Sequence, residues 1–147
     1  MSSILYTVGF TRKGAQRFFE LLADAGVRLL LDIRARPDSQ LAGFARARDL
    51  VWLLQKVAGI GYLHVSALAP AADLLADYRD GRFDWAGYER RYLGALNEPL
   101  VRKQLIGVEL DRACLLCAEP LADQCHRRLA AEWLAARQPG LEIEHLV

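Results

Sequence analysis

The chain has 147 residues, 53% of them hydrophobic and 25% charged, with a formal net charge of +1. This composition excludes intrinsic disorder and any general electrostatic pull toward nucleic acid or a membrane surface, and the length suits one domain, residues 1–147, with a proper core. No stretch approaches ~20 uninterrupted apolar residues, no signal-peptide pattern opens the chain, and three clustered cysteines do not make a secreted disulfide framework; a cytoplasmic protein with reduced thiols and no membrane contact is expected.

Ile4 to Val8, closed by Gly9, carries a buried-strand signal. Thr11 is a plausible N-cap for a helix from Arg12 to Ala25, with Phe18, Leu21, Leu22 and Ala25 on one apolar face and Gly26 ending it. Val27 to Arg34 is a second strand, continuously apolar at its centre as a strand covered on both faces should be, with Asp32 at its carboxyl end. Arg34-Ala35-Arg36-Pro37 then leaves the sheet, because Pro37 disfavours a helical Arg36.

A second helix is predicted from Arg46 to Ala58, with Leu50, Leu53, Leu54 and Val57 inward and Gly59 as its break. Tyr62 to Val65 reads as a third strand, and Pro70 to Asp80 as a helical turn or two ended by Gly81. Trp85 to Leu105 is mostly helical and split by Pro99. A strand over Arg112 to Cys117, a long helix over Asp123 to Arg137 with Leu129, Ala130, Trp133 and Leu134 inward, and a final strand over Glu142 to Val147 complete the pattern. The last strand alternates polar and apolar residues, which suits a sheet edge. Strands alternating with helices give an α/β fold: a three-layer α/β/α domain around a mostly parallel sheet of about five strands.

In such a sheet, ligands bind beyond the carboxyl ends of the strands. Those ends carry Gly9, Asp32 with Arg34 and Arg36, His64, and Cys117 with Glu119. Cys125, His126 and Arg127 follow at the start of the last long helix, where unpaired N–H groups and the positive dipole end favour a thiolate. Cys125 and Cys117 are therefore candidate nucleophiles. Glu119 and Asp32 are candidate proton carriers, set against the simpler reading of rim salt bridges. Arg34, Arg36 and Arg127 suit an anion, His126 adds potential positive charge beside Cys125, and Gly9 lies on the same rim. His64 reads as a backbone-bonded histidine, His145 as a surface residue, and Cys114 as a core residue facing away from Cys117.

Several familiar devices are absent. The cysteine-phosphatase spacing fails, since Asp123 stands six positions after Cys117 and Ala131 six after Cys125. There is no Gly-x-Gly-x-x-Gly fingerprint and no Gly-Lys-Ser/Thr loop, so no cofactor is identified. Cys117, Cys125 and His126, with Asp32 or Glu119, could ligate zinc or iron, but Cys-x7-Cys-His is not a standard zinc spacing, and the metal-free thiol is preferred.

Tyr6-Thr7-Val8-Gly9, the run Asp32-Ile33-Arg34-Ala35-Arg36-Pro37-Asp38-Ser39, and Cys117-Ala118-Glu119 with Cys125-His126-Arg127 together resemble DUF488, a bacterial and archaeal family of unknown function. The resemblance covers essentially the whole chain. It implies Rossmann-like layering and a polar cleft formed by Asp32, Arg34, Cys117, Glu119, Cys125, His126 and Arg127. Two departures stand out: Phe10-Thr11 where the family has His-Ser or similar, and Leu68-Ala69-Pro70 where it has Leu-Gly-Gly. The expected function is an enzyme that uses a Cys/Glu/Arg cleft on an anionic substrate, a nucleotide or nucleic-acid piece among them. The alternatives are a non-catalytic phosphate or nucleic-acid binding module and a Cys/His metal-binding protein.

Overall fold

The computed structural model describes residues 2–38, 43–118 and 125–147. The first apolar run forms β1 (Ser3–Gly9). Its side chains alternate, so Leu5 enters one core layer while Tyr6 and Val8 enter the other. Helix α1 (Ala15–Ala25) follows and buries Phe18, Phe19 and Leu22. It starts later than expected. Gly14 holds the N-cap position, because the amide and hydroxyl of Thr11 are both given to the carbonyl of Ala118. Gly26 ends α1 in the left-handed region, φ 75°, its N–H directed to the carbonyls of Ala23 and Leu22.

Strand β2 is shorter than its apolar run, Leu29–Asp32. Helix α2 (Ala47–Leu53) widens into a π-type segment over Leu54–Ala58 before Gly59. Leu50 and Leu54 are buried as expected, but Val57 is 58% exposed. The wider turn changes the angular step between residues and carries Val57 off the apolar stripe. Strand β3 is Gly61–His64, and α3 spans Ala72–Arg79. The long helical stretch divides into α4 (Trp85–Ala95) and α5 (Glu98–Gln104). The division falls at Leu96 and Asn97, not at Pro99 itself. Asn97 caps α5 by accepting from the Leu100 amide, and Pro99 sits in the first turn, where a missing N–H costs nothing. Strand β4 (Ala113–Cys117), α6 (His126–Arg137) and β5 (Leu141–His145) complete the elements. On α6, Leu129, Ala130 and Leu134 are buried as expected, while Trp133 is partly exposed under the guanidinium of Arg137. The expected start of that helix at Asp123 lies outside the described residues.

The strands form one five-stranded sheet in the order β3-β2-β4-β1-β5, and every neighbouring pair is parallel. Helices α1 and α2 cover one face, and α3 to α6 cover the other. This is a three-layer α/β fold. The most buried strand, β4, lies centrally with all five residues covered, and β5 takes an edge.

The strand order fixes where a ligand can enter. After β1 the chain crosses toward β3, with α1 on one face. After β4 it crosses toward β5, with α6 on the opposite face. β1 and β4 are neighbours, so the connections leaving their carboxyl ends run to opposite faces of the sheet, which makes this rim a topological switch point, the usual place of a binding crevice in open α/β sheets. The register sets Gly9 opposite Cys117 at that point. Among the described residues no helix is long and apolar enough to cross a membrane.

Gly26→Ala should lower stability by about 1–2 kcal/mol, the usual cost of a Cβ in the left-handed region. A Cβ there would also stand 2.7 Å from Arg112 Nη1, which would have to swing away. The check is a urea midpoint that falls at constant slope; an unchanged midpoint would mean the turn relaxes freely.

Candidate active site

The crevice is built from four strand ends and the start of α6. Asp32 ends β2 fully buried. Its Oδ1 accepts from the Arg34 amide at 3.1 Å and from Arg34 Nε at 2.9 Å. Its Oδ2 accepts from Arg34 Nη2 at 2.7 Å and from the Tyr62 hydroxyl at 2.6 Å. A carboxylate gripping a guanidinium at two points fixes it as a rigid fork. Burial, and then the bond to Asp32, raise the Tyr62 pKa and keep its proton in place.

This grip leaves one edge of Arg34 free. Arg34 is only 3% exposed, and its Nη1 is buried with no hydrogen-bond partner among the described residues. A buried guanidinium N–H without an acceptor is costly, which makes this edge a candidate donor for an anion or polar group. The ring of Phe10, 5.4 Å from Arg34 Cζ, covers the same guanidinium. Phe10 thus contributes a cation–π face to the site.

Arg127 reaches in from the first turn of α6 and is 1% exposed. Its Nε donates to Thr7 Oγ1 at 3.2 Å, and its Nη1 lies 3.2 Å from Cys117 Sγ and 4.0 Å from Cys125 Sγ. Thr7 Oγ1, which accepts from Arg127, also shares a hydrogen bond with His145 Nδ1 at 2.6 Å. His145 is exposed as expected, yet it braces the site through Thr7.

Cys117 and Cys125 are in direct sulfur–sulfur contact. The expectation of separate reduced thiols is corrected here: the strand end and the helix start bring these two side chains together, and only Cys114 stands apart, buried on the opposite face. Burial pushes the Cys114 thiol well above its usual pKa, so it is an inert core residue. Cys125 is the N-cap of α6 rather than part of its first turn.

His126 also departs from expectation. Its Nε2 lies 2.8 Å from the carbonyl of Ile33. A carbonyl can only accept, so the proton is on Nε2, and Nδ1 presents a lone pair 4.0 Å from Cys125 Sγ. Burial first, and then the charge of Arg127, depress its pKa to about 4 against the pull of Ile33 and Asp32. The ring is neutral at physiological pH and adds no positive charge. Tyr92 packs edge-on against it at 5.7 Å.

The remaining expected residues divide. Gly9 lies against Cys117 in the sheet, and His64 Nε2 donates to the Arg34 carbonyl at 2.9 Å, the backbone role expected of it. Arg36 is exposed outside this buried cluster. Glu119 lies outside the described residues. Tyr62 and Lys13 join the site without a signal among the motifs, whereas Thr7 lies within the Tyr6–Gly9 motif and Phe10 follows Gly9 at the same strand end. Lys13, on the loop after β1, has its pKa lowered by burial first and then by the charges of Arg127 and Arg17. The strand pattern does foreshadow Tyr62, which lies two residues before His64 and so on the same face of β3.

Cys117 Sγ, Cys125 Sγ and a ring nitrogen of His126 lie within 4.8 Å of one another, a donor set suited to zinc. The permanent charge of Arg127 against the sulfurs opposes a cation there and favours a thiolate.

Residues 14–134 match a known family, Domain of unknown function DUF488. The chain belongs to the DUF488 family. The matched span includes the Asp32–Ser39 run and the cysteines, but Tyr6–Gly9 and β5 fall outside it, so it is narrower than the whole chain. No curated protein and no solved structure matches the chain.

Two outcomes follow for this DUF488 protein. Asp32→Ala strips the counter-charge from a buried guanidinium and should cost about 3–5 kcal/mol in guanidinium-chloride unfolding; a loss below ~1 kcal/mol would show that Arg34 is repaired by solvent. His126 sets an acid limit. An unfolded histidine titrates near ~6.5 and this one near about 4 when folded, so the unfolded chain binds the extra proton first. Stability should be full above pH ~6.5 and fall by about 3 kcal/mol as pH drops to ~4. Unfolding free energies measured across that window should lose most of this slope in His126→Gln.

Proposed function

We propose that this DUF488 protein is an enzyme in which the Cys117–Cys125 pair supplies the reactive sulfur and the crevice cations hold an anionic substrate. The observation that carries this reading is the Arg127 guanidinium, buried against both sulfurs. A guanidinium keeps its proton at any physiological pH, so it lowers the cost of a thiolate beside it. Cys117, nearest to Arg127, is the thiolate. Cys125, 4.0 Å from His126 Nδ1, keeps its proton until it reacts.

Arg34 binds the substrate's anionic group through Nη1, and Lys13 adds charge at the crevice mouth. Asp32 is a positioning residue: each of its oxygens already accepts two hydrogen bonds from the site, and its work is to aim Arg34. Glu119, two residues beyond Cys117 in the chain, is the proposed proton carrier. Gly9 lets substrate approach Cys117 over bare backbone, and exposed Arg36 lies at the rim. The positive charge is local and the chain is nearly neutral overall, which suits a small anion better than a polynucleotide.

The test compares alkylation of the reduced protein by iodoacetate, an anion, with alkylation by neutral iodoacetamide, read at each cysteine by peptide mass spectrometry. Cys117 or Cys125 should react well below the ~8.5 of an ordinary thiol and prefer iodoacetate. Arg34→Met should reduce that preference by the worth of one charge-assisted hydrogen bond, about 1.5–3 kcal/mol or roughly ten- to a hundredfold. Slow alkylation of all three cysteines, with anion binding that depends on Arg34 alone, would instead mark a binding module without turnover.

A further inference from the structure

The two sulfurs are not equivalent, and their difference points to a reaction. Cys117 Sγ sits on the guanidinium of Arg127, which Thr7 fixes from behind. Cys125 Sγ is farther from that charge, 4.0 Å from Arg127 Nη1 and 4.0 Å from His126 Nδ1. One sulfur is placed to attack first and the other to attack second. Both are almost fully covered, at 1% and 4% exposure, so the reactant that reaches them is small.

We propose that Cys117 and Cys125 form a peroxide-reducing couple, with Cys117 attacking a small hydroperoxide and Cys125 resolving the product. This deepens the reading above and rests on its claim that the sulfur pair is the reactive group. The Cys117 thiolate attacks the terminal peroxide oxygen. An S–O bond forms, the O–O bond breaks with its electron pair on the departing alkoxide or hydroxide, and that anion takes a proton from water. Cys117 is now a sulfenic acid. Cys125 attacks the Cys117 sulfur as its thiol proton passes through water to the departing hydroxyl. The S–S bond forms, the S–O bond breaks, and the hydroxyl leaves as water. Two electrons have moved from the two sulfurs to the peroxide. A small thiol or dithiol reductant returns them by exchange at the disulfide.

The geometry favours this couple over a metal centre on the same atoms. A metal would set a divalent cation beside Arg127, whereas a thiolate there offsets a buried positive charge. Cys114, buried on the other face, is an internal control that should not react.

The experiment treats the reduced full-length protein with hydrogen peroxide and follows it by mass spectrometry, with dimedone present to trap sulfenic acid. Wild type should lose two hydrogens per chain, form an intramolecular Cys117–Cys125 disulfide, and take up little dimedone. Cys125→Ser should carry dimedone at Cys117, and Cys117→Ser should carry it nowhere. Arg127→Lys, which keeps the charge but loses the fork, should slow the first step by roughly tenfold or more. Arg127→Met, checked for folding by circular dichroism, should slow it further, and if it fails to fold the lysine variant decides.

Sulfenic acid trapped first at Cys125, or oxidation no faster than that of free cysteine, overturns the couple. So does one equivalent of zinc that must be chelated before any oxidation occurs. The wider reading fails separately. If Cys117 still prefers iodoacetate but ignores peroxide, the enzyme reading stands and this inference falls. If neither reagent finds a reactive sulfur, both fall.

Discussion

A guanidinium cannot shed its proton in water-accessible pH, so Arg127, 1% exposed, carries a full positive charge between the sheet and α6. Burying an ion of that size is worthwhile only where neighbours answer it. Thr7 on β1 and the sulfur of Cys117 on β4 both answer it, and the backbone start of α6 brings it to them. The contact ties three elements together at one point. It also lies at the switch point where the connections after β1 and β4 leave for opposite faces, so the interaction that closes the core there polarises the same rim.

The second buried cation obeys a different rule. Arg34 is answered almost completely by Asp32, which spends both oxygens on it, and Tyr62 completes the carboxylate's shell. An ion pair so closed is weak proof of stability, because desolvation offsets much of the attraction. Its value is geometric: the guanidinium is held with one N–H edge unanswered. Arg127 is braced to bear charge on sulfur, while Arg34 is braced to leave a donor open.

The sheet was largely legible because parallel strands covered on both faces become continuous apolar runs, and Leu29-Leu30-Leu31 and Leu115-Leu116 are such runs. Once strands were placed, the carboxyl-end rule brought Gly9, Asp32 and Cys117 to one rim without further information. What escaped was everything set by contact between distant segments. Thr11 has the chemistry of an N-cap, but its hydroxyl is taken by Ala118, 107 positions away. Val57 keeps helical spacing in the sequence, but a π-type turn rotates it into solvent. Lys13 carries no motif, and Thr7, though within the Tyr6–Gly9 motif, takes its role only because Arg127 arrives beside it.

His126 shows why side-chain type alone does not give a role. Beside a cysteine and an arginine at a helix start, a histidine invites assignment as a second cation. Its burial makes the charged form expensive, and the adjacent guanidinium makes it more so. The Ile33 carbonyl then takes the one remaining proton, which leaves Nδ1 turned toward Cys125 as an acceptor. Burial and Arg127 thus keep the ring neutral, while Ile33 decides which nitrogen carries the proton. Ile33 lies between Asp32 and Arg34, so the backbone that carries the anion-facing guanidinium also sets the tautomer of the histidine beside the sulfurs. A shift of that short segment would disturb both halves of the crevice at once, which is why Asp32, though it touches neither sulfur, belongs to the same functional unit.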